Sequence, residues 1–279
     1  MIMQNRIYST DSAKAIKAQE FGVINGIHYM APHNSAAIDG GKQFTLCVSA
    51  SPTCIDLCLG MHSGQAAMRK EGEDNATTLS RKAKARRFMT DRKAYMAEYA
   101  LATAQEYSNA RKHGMDFVAR FNGSTDIAPE GIQVVVDAKL ARKLSKLMGR
   151  EIASGVYRNV MVLFHEIQFV DYTKIHQRFD RVLPVNYHLT FSRSEINESK
   201  CLELLARGVN VAVVFDALPE TWNGFTVVNG DVHDLRHLDP RGNRGFVIGL
   251  LPKGRKAKKD TSGFVVRSYV DTSSAAIAA

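Results

Sequence analysis

The sequence predicts an α/β fold, a parallel (β/α) barrel or partial barrel, and three observations carry that prediction. From residue 116 onward, short apolar runs alternate with helical patterns at the spacing of βαβ units. Polar, chemistry-bearing residues follow almost every predicted strand, which is where ligand sites gather in parallel α/β architectures. The chain is 279 residues long, 45% apolar and 23% charged, which excludes disorder, collagen-like repetition and a disulfide scaffold. The number of units suits a barrel better than an open doubly wound sheet, which stands as the competing arrangement.

The elements follow in order, within a single domain over 1–279. Residues 1–40 mix Gly, Asn, His and Pro without periodicity and read as an irregular lead-in. Lys42–Leu46 reads as a short strand running into the segment CVSASPTCIDLCLGMHSGQ. A long basic helix is predicted over Thr78–His113, because Met89, Met96, Ala100, Thr103, Tyr107 and Ala110 share one face and Phe88, Tyr95, Tyr99 and Ala102 widen it. Asp74, Asn75, Thr77 and Thr78 offer N-caps, and Gly114 a stop. Strands are then expected at Asp116–Phe121, Ile167–Tyr172, Tyr187–Phe191, Val209–Phe215, Phe225–Val228, Phe246–Leu251 and Phe264–Val270. Helices fall between them at Val136–Met148, near Lys174–Phe179 and at Glu195–Arg207, and residues 272–279 form a frayed tail.

Net charge is +9, from 37 Lys and Arg against 28 Asp and Glu. No run approaches about 18 consecutive apolar residues, so no membrane-spanning helix is expected. The N-terminus lacks the basic–apolar–small order of a secretion signal. A cytoplasmic protein follows, and its four cysteines are then expected as reduced thiols. Three of them, Cys47, Cys54 and Cys58, fall in a C-x6-C-x3-C segment, whereas Cys201 stands alone.

Thiolates select iron–sulfur clusters, zinc or copper(I) over hard ions. Three cysteines on one loop can hold three irons of a [4Fe–4S] cluster, leaving the fourth iron open to chelate a small molecule. Ser51 and Pro52 supply the turn, and Gly60 lets the backbone approach closely. Zinc is the rival, with His62 as fourth ligand, although the paired C-x2-C elements of zinc sites are absent. Packing of the three as small buried hydrophobes is the remaining alternative.

The segment CVSASPTCIDLCLG resembles the cysteine loops of phage and plasmid proteins related to the radical S-adenosylmethionine enzymes, in particular the phage family called gene product eighty-eight. RFNGSTDI at Arg120–Ile127, VDYTK at Val170–Lys174 and YHLTFS at Tyr187–Ser192 extend the resemblance over roughly Gly40 to Gly263. It implies a barrel-like fold with a cluster bound by Cys47, Cys54 and Cys58. The usual loop of those enzymes is C-x3-C-x2-C with an aromatic before the last cysteine, whereas Leu57 stands there here. Cluster binding tolerates that departure more readily than S-adenosylmethionine binding does.

Asp126, Asp171 and Asp231 are each predicted at a strand's C-terminal end, where two converging carboxylates can serve as nucleophile and general base. Loop capping is the competing role for each. Asn122, Ser124, Ser192 and Lys253 are the candidate cofactor-binding residues. Of the nine histidines, His62 and His188 are retained as candidates, and the His233/His237 pair lacks the glutamate of a zinc protease helix. Cations concentrate at Arg81, Lys82, Lys84, Arg86, Arg87, Arg92 and Lys93, and again at Lys253, Arg255, Lys256, Lys258 and Lys259. Such runs attract polyanions, so a nucleic acid or phosphorylated nucleotide is the expected partner. The leading expectation is a radical-SAM-like iron–sulfur enzyme modifying a nucleotide or nucleic-acid base, probed against two alternatives. One is a zinc-containing barrel transglycosylase using an Asp pair. The other is a non-catalytic, metal-stabilised nucleic-acid-binding protein.

Overall fold

The structure, a computed structural model, describes residues 6–70 and 72–267. In chain order the strands are β1 (Tyr8–Ser9), β2 (Val23–His28), β3 (Ala36–Ala37), β4 (Gln43–Phe44), β5 (Asp116–Arg120), β6 (Val134–Val136), β7 (Gly155–Tyr157), β8 (Gln168–Thr173), β9 (Tyr187–Ser192), β10 (Val211–Phe215), β11 (Thr221–Trp222), β12 (Phe225–Asn229), β13 (Val247–Leu250) and β14 (Val265–Val266). The helices are α1 (Ala13–Gln19), α2 (Pro52–Asp56), α3 (Leu59–His62), α4 (Ala76–Thr90), α5 (Arg92–Lys112), α6 (Ala138–Met148), α7 (Val160–Leu163), α8 (Glu198–Ala206) and α9 (Arg255–Lys258).

The architecture is mixed α/β around a ten-stranded sheet in the order β1-β2-β5-β8-β9-β10-β13-β12-β11, with β14 pairing β10. Every pairing in it is parallel except the outermost two, β1 with β2 and β11 with β12. Strand β10 pairs β9 through Val211 and Ala212, then β14 through Val214 and Phe215. The sheet therefore opens beyond Ser192, and the C-terminal segment fills the gap. Among the described residues no helix is long and apolar enough to cross a membrane.

Alternation along the strands separates two faces. Phe117, Ala119, Phe169, Tyr187 and Leu189 pack into one apolar cluster with Phe88, Tyr95, Tyr99, Leu144 and Met148 of α4, α5 and α6. The other face carries Val118 and Val170 against Ala18 and Leu235. Toward the strand C-termini that second face becomes Arg120, Tyr172, Ser192, Ala212, Val214 and Leu250.

Several expectations need correction. The lead-in is structured: α1 is capped by Ser12, and β2 is an inner strand of the sheet. Its sequence VINGIH hides it, because Asn and Gly are poor strand formers. Gly26 is required there, since a Cβ would meet the Phe117 ring at 2.7 Å. The strand predicted at Lys42–Leu46 shortens to β4, which pairs β3 in a separate hairpin. The long helix is two helices, because the Asp91 side chain accepts from Ala94 N (3.1 Å) and starts α5 anew. Asn75 opens α4 with a reciprocal capping box. The helix near Lys174–Phe179 is a 3-10 turn over His176–Asp180. The β6–β7 hairpin has no counterpart among the expected strands. The tail at 272–279, and the end of the strand predicted at Phe264–Val270, lie outside the described residues.

Candidate functional site

A cavity of about 420 Å³ opens at the C-terminal rim of the sheet, and its wall gathers residues from both halves of the chain. Cys47, Cys54 and Cys58 line it, as do Asn122, Ser124, Asp126, Ser192 and Lys253. Ala212, Val214, Leu250 and Phe264 form the apolar part of the wall on the C-terminal half of the chain, and Ile55, Leu57 and Met61 add to it from the cysteine segment. Asp171 and Asp231 stand elsewhere.

The cysteine segment is positioned from both ends. Asp126 N donates to Leu46 O (2.8 Å), an isolated parallel bridge joins Cys47 to Asp126, and the Cys47 thiol donates to Ser124 O (3.7 Å). Cys54 sits in the first turn of α2, where its N–H donates to the Ser51 cap (3.2 Å). Glu195 then grips that turn, accepting from Ser51 Oγ (2.7 Å) and Thr53 N (3.1 Å). Cys58 precedes α3, where Gly60 approaches Ser124 so closely that a Cβ would lie 2.4 Å from Ser124 Cβ and 3.5 Å from Cys58 Sγ. Arg81 donates to Gly60 O and stacks over Tyr29 at 4.6 Å, fixing the segment to α4. Lys256 pairs with Asp56 (2.5 Å), tying the basic loop to α2.

All three cysteines are half-buried free thiols, and Cys201 is fully buried outside this cavity. Burial pushes the Cys47 thiol up to about 12, with neighbouring Cys58 adding to the effect. Burial also raises Cys58, against hydrogen bonds from the Gly60 and Met61 backbone. The cavity thus disfavours bare thiolates, which a bound cation would reverse. Among the described residues no group of three or more His, Cys, Asp or Glu side chains is placed to hold a metal ion. All three thiols line the cavity with His62 on the same wall, and that donor set is a soft one.

Asp126 is held by Thr173 Oγ1 (2.7 Å), Lys174 N (2.7 Å) and Arg178 Nη1 (3.5 Å). Burial raises its pKa, opposed by those hydrogen bonds and charges. Asp171 shares the strand parity of Phe169, so it points to the helix face. It is fully buried, accepting from Asn122 N (2.7 Å), Asn122 Nδ2 (3.0 Å) and Tyr187 Oη (2.8 Å). Its part is to position Asn122, whose amide in turn closes the 122–127 loop on Ile127 and Thr125. Asp231 accepts from Lys253 Nζ (2.7 Å) and Leu251 N (2.8 Å) at a shallower outer pocket that Lys253 shares.

The first basic run is largely absorbed by the fold. Arg81 holds the cysteine segment, Lys82 pairs with Asp74 (2.6 Å), buried Lys84 donates to Arg6 O (3.3 Å), and Arg86 donates to Ala37 O (2.7 Å). Arg255, Lys258 and Lys259 in the second run stay exposed. His188 lies outside the cavity, its Nδ1 accepting from Arg241 (2.9 Å), and burial lowers its pKa to about 4. His237 sits near it on a 3-10 turn rather than an α-helix, so the helical metal pair with His233 does not form.

Glu195, Lys174 and Arg120 are site residues that sequence reasoning did not single out. Lys174 and Arg120 lie inside the RFNGSTDI and VDYTK segments, whereas Glu195 meets the cysteine turn only through tertiary contact. Burial works against the charged form of Glu195, but hydrogen bonds from Ser51 and Thr53 outweigh it and hold its carboxyl below the usual range. A depressed carboxylate pKa stabilises the fold above the unfolded value and loses that effect as pH falls through the folded one. Glu195→Ala is expected to cost about 1–2 kcal/mol in urea unfolding at neutral pH and to speed alkylation of Cys54. Equal unfolding midpoints and alkylation rates in both proteins would remove Glu195 from the site.

No curated protein and no solved structure matches the chain. A family model described as Gene product 88 matches residues 3–268, a span that contains the cysteine segment, the sheet and the cavity, and the chain belongs to the gene product 88 family.

Proposed function

We propose that the protein is a radical-SAM-like iron–sulfur enzyme, in which Cys47, Cys54 and Cys58 hold a [4Fe–4S] cluster at the mouth of a partial (β/α) barrel. When bound, the cluster would supply a low-potential electron and a coordination position for a small cofactor such as S-adenosylmethionine. One observation carries the reading: a twelve-residue segment places three thiols on the wall of a single cavity of about 420 Å³.

The chain's own residues prepare that site. Glu195 and Ser51 fix the turn bearing Cys54, and Gly60 and Arg81 hold the turn bearing Cys58 against the 122–127 loop. Ser192 and Lys253 would present polar groups to a ligand, Asn122 and Ser124 spend theirs on Asp171, Ile127, Thr125 and Met30 and shape the wall, and Val214, Leu250 and Phe264 keep water from its apolar side. Asp126 is turned toward Thr173 and Lys174 and organises the β8 end rather than abstracting a proton. Exposed Arg255, Lys258 and Lys259 beside the mouth suit a phosphate-bearing nucleotide or nucleic acid as substrate, in a phage- or plasmid-encoded enzyme acting in the host cytoplasm.

Two features support this reading over its rivals. A base-exchanging transglycosylase with structural zinc needs two carboxylates at the substrate, and Asp126 alone of the predicted trio reaches the cavity. A metal-stabilised nucleic-acid-binding protein has no need of an apolar-walled chamber behind its thiols. Anaerobic purification tests the reading: broad absorbance near 400 nm is expected, bleached in Cys47→Ala, Cys54→Ala and Cys58→Ala and retained in Cys201→Ala. A colourless wild-type protein, or colour that survives all three changes, would overturn it.

A further inference from the structure

We infer that Lys174 and Ser192 form an oxyanion-recognition subsite in the cavity, beside the Phe264 end of its apolar wall; the inference deepens the proposed function and rests on its reading of the cavity as a ligand site. Lys174 Nζ donates to Ser192 Oγ at 2.7 Å, and both side chains line the cavity. Because the Ser192 oxygen accepts from the ammonium, its own O–H is left to donate. The pair presents two adjacent donors, one of them charged, and such a pair fits an oxyanion.

The charge balance of the wall singles out the same place. Arg120 is paired with Asp234 (2.8 Å) and Lys253 with Asp231 (2.7 Å). Asp126 spends its oxygens on Thr173, the Lys174 backbone and Arg178. Among the described residues the Lys174 ammonium has no carboxylate within ion-pair distance, and it leans over the Phe264 ring at 5.7 Å. A ligand with one oxyanion end and an apolar body would set the first on Lys174 and Ser192 and the second on Val214, Leu250 and Phe264. Carboxylate and phosphate share that chemistry.

The test uses the full chain and two probes, inorganic phosphate and acetate. Lysine acetylation by a succinimidyl ester, read by mass spectrometry, is expected to be slowed at Lys174 by one of them. Lys200, which pairs with Glu203 on α8 (2.7 Å) and lines neither pocket, should be unaffected. The probe that protects more strongly assigns the source, phosphate or carboxylate. In titrations, Lys174→Met should weaken the effective probe about tenfold, Ser192→Ala less, and Lys174→Arg should preserve binding. Protection by neither anion in the wild-type protein, or equal titration of wild-type and Lys174→Met, would overturn the subsite. Because the probes need no cluster, Lys174-dependent protection in iron-free protein supports the subsite whatever the iron content. Iron-loaded protein lacking that protection overturns the subsite and leaves the cluster reading standing.

Discussion

Asp171→Ala is expected to destabilise the protein by about 3–5 kcal/mol. The carboxylate is fully buried and is the common acceptor for Asn122 N, Asn122 Nδ2 and Tyr187 Oη. Removing it leaves three buried donors without their partner, each worth about 1–3 kcal/mol when unsatisfied. Tyr187 also accepts from Arg178 (2.7 Å), which clamps Glu130 through two hydrogen bonds of 2.9 and 2.8 Å. The loss therefore spreads to the turn below Asp126.

The pH dependence separates this account from simple loss of packing. Burial raises the Asp171 pKa from 3.8 to about 6, against hydrogen bonding by Asn122 and the charges of Arg178 and Arg120. A carboxyl raised on folding favours the native state below its unfolded pKa and loses that contribution as pH rises through the folded value. Asp171→Asn does not titrate, so the stability gap between wild type and this variant should be widest near pH 4 and shrink toward pH 6. Urea unfolding across that range measures it. A gap independent of pH would show that the carboxyl is not the group at issue.

Gly60→Ala should instead spare the fold and damage the site. The new Cβ would fall 2.4 Å from Ser124 Cβ and 3.0 Å from Ser124 Oγ. Ser124 cannot yield freely, because its hydroxyl donates to Met30 O (2.7 Å) and its carbonyl accepts from the Cys47 thiol (3.7 Å). The turn carrying Cys58 and the loop carrying Ser124 are thus forced apart. Outer-sphere disruption of this kind costs about 10–100-fold in metal affinity, and iron uptake during reconstitution should fall accordingly while the unfolding midpoint moves little. Gly131→Ala, where an added Cβ meets nothing within 4 Å, is the matched control. Ser124→Gly combined with Gly60→Ala removes the opposing Cβ and should restore uptake. If Gly60→Ala reconstitutes like the control, the close approach has no bearing on the site.

The parts of this arrangement that were legible in the sequence are those with local causes. Strands β5, β8, β9, β10, β12 and β13 announce themselves as apolar runs because both faces of a parallel sheet are covered. The three cysteines fall on one twelve-residue segment in the sequence, and the fold puts all three on one cavity wall. Strand β2 is hidden because Asn25 and Gly26 are poor strand formers, the glycine standing where a Cβ would meet the Phe117 ring. The break at Asp91 is a capping event inside an uninterrupted apolar stripe, and a stripe records burial rather than hydrogen-bond continuity. Its position at a strand end points Asp171 toward the cavity. Strand parity, already readable from its alternation with Phe169 and Val170, turns it to the opposite face. The cations of α4 look like a polyanion surface in one dimension, yet Arg81 and Lys84 reach backbone carbonyls of Gly60 and Arg6 that are distant in sequence. Glu195 carries no local signal, since its partners Ser51 and Thr53 lie more than 140 residues away.

Counting iron and acid-labile sulfide in freshly isolated, anaerobically handled protein puts the central idea at greatest risk. About four of each per chain, with Cys47, Cys54 and Cys58 shielded from alkylation until the iron is removed, is the result expected of a cubane seated among three thiols. One zinc per chain, or no metal with all three thiols alkylated at once, would mean that this cavity does not house an iron–sulfur cluster.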